Sequence, residues 1–232
     1  MNHLGNTRSA REAGHLLHTP DTFVSAALPG MRNATAVVHI TPVAGAGFTQ
    51  YTAILEAGGV IAPASVQRFL YVLSGQIDVG EYSLPADHYA YISAEVTAKT
   101  SARVAVIEKP YYPLAGVVAP ETLCGDEQSI VPQPLEGDET LEVRTLLPAH
   151  PSFDFAVNTM TYQPGASLAR VEVHVMEHGL LMLEGGGIYR LGDCWYPVSE
   201  GDFIWMAPFC PQWFGALGKK PARYLIYKDW NR

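Results

Sequence analysis

The sequence is poor in charge and poorer in thiols. Charged residues make up 16% of the 232, and 15 Lys+Arg stand against 23 Asp+Glu, a net charge of −8. No basic stripe is available to neutralise phosphates, which argues against nucleic acid or an anionic lipid surface as partner. The three cysteines, Cys124, Cys194 and Cys210, are odd in number and lack the C-x2-C spacing of a metal knuckle, so a disulfide framework is excluded. No run approaches the roughly 18 apolar residues of a membrane span. The first twenty residues hold no apolar stretch long enough for a signal peptide, and a reduced, cytoplasmic protein is expected. An amphipathic pattern of three helical turns is also missing.

What is present is a series of short alternating or apolar runs, from ATAVVHI around Ala36 through RYLIYK near the end, spaced about 8–12 residues apart. Between them lie many of the 21 glycines and 17 prolines. This is the pattern of a β-sandwich or barrel, so an all-β fold is expected. The stretch from Pro113 to Thr140, rich in Pro, Gly and acidic residues, divides the chain into an expected first barrel over 1–125 and a second over 126–232.

The two halves repeat one another. RFLYVLSGQIDVG and HGLLMLEGGGIYR superpose with a shift of 110, which sets Leu70 on Leu180, Leu73 on Leu183 and Gly75 on Gly185. ARVAVIEK at Ala102 likewise matches ARYLIYK at Ala222. Two pairs in the same order point to tandem duplication of one small barrel.

The second half contains PGASLARVEVHVMEHGLLMLEGGG. Glu172 and His174, two apart on a strand, share a face, and His178 follows across a short turn. Two imidazoles and a carboxylate would thus converge as ligands for a divalent ion. The first half offers Ala62, Ala64 and Arg68 at the corresponding places, and aligning Asp87 with Asp202 sets Thr97 opposite Gln212. The first barrel is therefore expected to bind no metal. Cys194 and Cys210 are read as small buried hydrophobes.

Gly165, Glu172, His174, His178 and Gly185 occupy the frame of the first cupin motif, with Glu in place of the first His and His in place of the usual Glu. Gly201 opens the second motif in SEGDFIWMAPFCPQW, where the ligand position is Gln212. With TPD at 19–21, LPG at 28–30, FLYVLSG, VMEHG and the terminal YLIYKDWNR, the chain resembles the (S)-ureidoglycine aminohydrolase family of bicupins from Thr19 onward. The resemblance implies two tandem jelly-roll barrels. It also implies one manganese ion on Glu172, His174, His178 and Gln212, and a substrate-contacting and catalytic set of Tyr189, Tyr224 and Lys228. Parity supports the last two, since Tyr224, Ile226 and Lys228 alternate on one strand face. The ligand types alone suit Mn, Fe, Ni, Co or Zn.

The activity implied is hydrolysis of (S)-ureidoglycine to (S)-ureidoglycolate and ammonia, in ureide catabolism, by a homo-oligomer. A non-catalytic binding bicupin and a cupin-type metal oxygenase or isomerase are the alternatives. Met176, within the ligand loop where the family usually carries Gln, departs from the pattern and bears on pocket polarity.

Overall fold

The computed structural model describes residues 5–229, and their regular structure is nearly all strand, as the alternating runs require. The chain forms two compact units. One comprises residues 5–23, Pro132–Leu147 and 155–229; the other comprises Val24–Val131 and Pro148–Asp154.

The unit formed largely by the first half is one ten-stranded antiparallel sheet curled round a core that includes Tyr51, Leu55, Leu70, Val72, Ile77, Val79, Val104 and Val106. The strand Leu123–Asp126 pairs with His88–Tyr91, and this unit runs on to Val131. The second unit has two sheets. In the eight-stranded sheet, His178–Glu184 lies between Phe203–Met206 and Ala222–Asp229, with Phe155–Tyr162 next. The smaller sheet orders Glu172–Val173, Pro211–Ala216, Gly186–Leu191 and Cys194–Ser199. Side chains of both sheets, among them Met160, Tyr162, Leu180, Met182, Tyr189, Leu191, Phe214 and Tyr224, meet in a single core.

This second unit takes chain from both sides of residue 125. His15–His18 pairs with Phe203–Met206 and covers what would otherwise be a bare strand edge beside the strand that carries His178. The short polar run HLLH gave no strand signal in the sequence. Arg8 fixes the segment by donating to both carboxylate oxygens of Asp202, at 2.5 and 2.8 Å.

The repeat is visible in the backbone. Gly75 (φ 78°) and Gly185 (φ 68°) both occupy the left-handed region. A Cβ at Gly75 would stand 2.8 Å from Ala102 Cα, and one at Gly185 would stand 2.9 Å from Ala222 Cα. The glycines matched by one sequence repeat therefore rest on the alanines matched by the other.

Candidate active site

Glu172, His174, His178, Tyr189, Gln212, Tyr224 and Lys228 all line one cavity of about 160 Å³ inside the second unit. Strand register brings them there. His178 lies directly opposite Lys228, and Met182 opposite Tyr224, so all four side chains face inward. Glu172 is paired with Gln212, and Gln212 with Leu191 two residues beyond Tyr189. The turn between His174 and His178 is a bend at Val175–Met176; its glycine, Gly179, follows the second histidine. Met176 is half-buried and absent from the cavity lining.

The other three candidate ligands each approach His174. His174 Nδ1 lies 2.6 Å from His178 Nε2 and 2.8 Å from Gln212 Nε2, while its other nitrogen is 3.5 Å from Glu172 Oε2. The His174 ring thus bridges the other three. Among the described residues no set of three His, Cys, Asp or Glu side chains is ready-shaped round an ion.

The chemistry of the donors fits a divalent ion. His178 Nδ1 donates to the Glu177 carbonyl at 2.7 Å, which leaves the Nε2 lone pair turned into the cavity, the arrangement a ligating imidazole needs. Burial, aided by the Lys228 charge, pushes the His178 pKa down to about 3. Burial likewise lowers His174, with Glu172 opposing. Both rings are neutral at neutral pH and keep a lone pair to give.

Burial also lowers the pKa of Lys228, against the pull of Glu172. Its ammonium makes no hydrogen bond and no ion pair among the described residues. Tyr189 and Tyr224 are almost fully buried, and burial raises both phenols well above their usual range. They stay protonated and can act as hydrogen-bond donors. Tyr189 donates to Gln212 Oε1 at 3.3 Å. The remaining wall is apolar, formed by Leu135, Met160, Leu168 and Ile226.

Three features were missed in the sequence. Tyr162, fully buried, has its hydroxyl 2.7 Å from that of Tyr224. Glu177 receives Trp205 Nε1–H at 2.8 Å and so pins the residue whose carbonyl orients His178. The third is an offset in the first unit. Val79 is the repeat partner of Tyr189 and pairs with Val96, whereas Tyr189 pairs with Phe214. The counterpart of Gln212 is accordingly Ala94, and Thr97 matches Gly215 instead. The cysteines divide: Cys210 is buried in the core, whereas Cys194 is exposed.

The fold and this inward donor set define a class, and residues 158–227 match the family described as Cupin domain. The protein is a bicupin. Over nearly its whole length it is 42% identical to a probable (S)-ureidoglycine aminohydrolase of Oryza sativa subsp. japonica, covering 98% of this chain and 77% of that protein. It is 30% identical to the (S)-ureidoglycine aminohydrolase of Escherichia coli strain K12, covering 99% and 93%. The solved structure of a putative glyoxylate-induced protein from Pseudomonas aeruginosa superposes with a TM-score of 0.89 at 28% identity, over 100% of this chain and 94% of that one. The chain belongs to the (S)-ureidoglycine aminohydrolase family.

Proposed function

We propose that the protein is a manganese-dependent (S)-ureidoglycine aminohydrolase that converts (S)-ureidoglycine and water to (S)-ureidoglycolate and ammonia in ureide catabolism. The observation that carries this reading is the Lys228 ammonium, facing the cavity with no hydrogen bond or ion pair among the described residues. A cation held partly out of water favours an anionic occupant, and the substrate carboxylate supplies one through a charge-assisted hydrogen bond.

Glu172, His174, His178 and Gln212 would hold the ion, which when bound supplies Lewis-acid stabilisation to substrate oxygen and nitrogen. Lys228 anchors the carboxylate, while Tyr189 and Tyr224 donate to polar groups of the substrate and fix which face of its central carbon is open. The four apolar wall residues keep bulk water away. About 160 Å³ is the volume of roughly five liquid waters, which suits a compact substrate of a few linked polar groups. The carbon–nitrogen bond to the amino group breaks with the ureido nitrogen lone pair assisting. The amino group leaves as ammonia once it carries an extra proton, and water then adds its oxygen to the iminium-like carbon and gives up one proton, so that one water is consumed and no net proton is spent.

Cupin sheet faces commonly associate, and the exposed Val171, Val173 and Val175 on the outer side of the ligand strand support assembly into a homo-oligomer. The activity is tested by following ammonia from (S)-ureidoglycine against its spontaneous loss. Acceleration confined to the S enantiomer is expected, and a rate equal to the spontaneous one with metal bound overturns the reading.

A further inference from the structure

We propose that Tyr162 is a positioning residue for the reaction: its hydroxyl donates to Tyr224 Oη and thereby turns the Tyr224 hydroxyl into an obligatory donor toward the cavity. The inference rests on the reading of Tyr224 as a substrate contact.

The geometry begins with register. Tyr162 pairs with Ala222 and Met160 with Tyr224 on neighbouring antiparallel strands, so all four side chains point into the same core. Ala222 is small, which leaves room for the Tyr162 ring to lie across toward the next rung. Its ring packs edge-on against Phe214 at 4.9 Å and tilts against Tyr224 at 5.5 Å. Two phenolic oxygens then meet at 2.7 Å with both rings out of water.

Proton counting decides the direction. The pair carries two hydroxyl hydrogens and one hydrogen bond between them. Tyr162 touches no other polar partner among the described residues, whereas Tyr224 also reaches Met160 Sδ at 3.3 Å. Were Tyr224 the donor, the Tyr162 O–H would be buried with nothing to accept it, a costly arrangement. With Tyr162 as donor both hydrogens are placed, but Tyr224 is left with a thioether, a weak acceptor. A substrate oxygen or nitrogen in the cavity is a far better one. Tyr162 thus withholds from Tyr224 its only strong acceptor among the described residues.

The first unit provides an independent observation. There Ala102, the repeat partner of Ala222, pairs with Leu55, and Val104 stands where Tyr224 stands. The two hydroxyls are missing together from the barrel that lacks the ligand set. A pair kept only for packing has no need of hydroxyls, and Leu55 with Val104 fills the same place in an equally buried core.

The test is Tyr162→Phe, alone and combined with Tyr224→Phe, assayed with (S)-ureidoglycine. One neutral hydrogen bond corresponds to a loss of roughly three- to tenfold, here falling on kcat with KM within about twofold. In the Tyr224→Phe background the second substitution is expected to cost nothing further. Unchanged kcat in Tyr162→Phe, or a full additional loss in the double variant, overturns the proposal, because a packing role would act in either background. A neutron map of the substrate-free protein separates this idea from the functional reading. The Tyr162 deuteron is expected to lie toward Tyr224 Oη, and a Tyr224 deuteron directed at Tyr162 defeats the proposal whatever the substrate proves to be.

Discussion

The two barrels solve the problem of a polar interior in opposite ways. In the second, His178 faces Lys228 across the strand pair, and neither satisfies the other. In the first, the same two places hold Arg68 and Glu108, directly opposite and joined at 2.7 Å. Arg68, only 4% exposed, also donates to the carbonyls of Ala62 and Ala94. These are the counterparts of Glu172 and Gln212. A guanidinium fixed in the chain thus reaches the counterparts of two ligand positions and is paired there with Glu108. The first barrel pairs its buried cation at these places, whereas Lys228 of the second has no ion pair among the described residues and stands near four potential donors.

Exchanging the equipment should have the largest effect. His178→Arg alone sets a second cation beside Lys228, and destabilisation of roughly 3 kcal/mol is expected from an unpaired buried charge. Adding Lys228→Glu recreates the Arg68–Glu108 pair and should restore most of the melting temperature. Both variants should be inactive. A single variant as stable as the double one would break the comparison.

Lys228→Met should lower kcat/KM by about ten- to a hundredfold, the worth of one charge-assisted hydrogen bond. Because the ammonium is desolvated with no hydrogen bond or ion pair among the described residues, the substrate-free variant is expected to melt a few degrees higher than the wild type. Activity within twofold of wild type removes Lys228 from the site. The converse change, Arg68→Met in the first barrel, strands Glu108. It should cost about 3 kcal/mol of stability while metal content and turnover per folded molecule stay the same.

Much of this contrast was legible in the sequence where the signal is local. Glu172, His174 and His178 lie within seven residues; strand parity suggests one face for Glu172 and His174, and a short turn brings His178 back toward them. Gly75 and Gly185 marked the repeat because a tight turn against a neighbouring strand tolerates no side chain. Tyr224 and Lys228 could be placed by parity, whereas Gln212 needed a known motif. The rest depends on pairing between distant strands. Tyr162 lies 62 residues from Tyr224, and nothing near either predicts that they meet. The Ala94 correction reflects a shorter connection in the first barrel, which no alignment on Asp87 and Asp202 could register. Residues 5–23 joined the second unit through a strand too short and polar to announce itself.

That added segment gives the smallest prediction. Burial lowers the pKa of His15 and His18, so near pH 6.5 and below the unfolded chain binds protons that the folded chain refuses. Stability should therefore fall as pH drops below about 6.5, with His174 and His178 adding to the same decline in metal-free protein. His15→Asn should flatten the decline measured by thermal melting from pH 7.5 to 5.5. An equal slope in the variant means that His15 is not its source.

The most direct test of a single working barrel is the metal content of purified, manganese-saturated protein, wild type beside His178→Arg/Lys228→Glu. The account predicts about one ion per chain in the wild type and essentially none in the folded double variant. Two ions in the wild type, or one retained after the exchange, would contradict it.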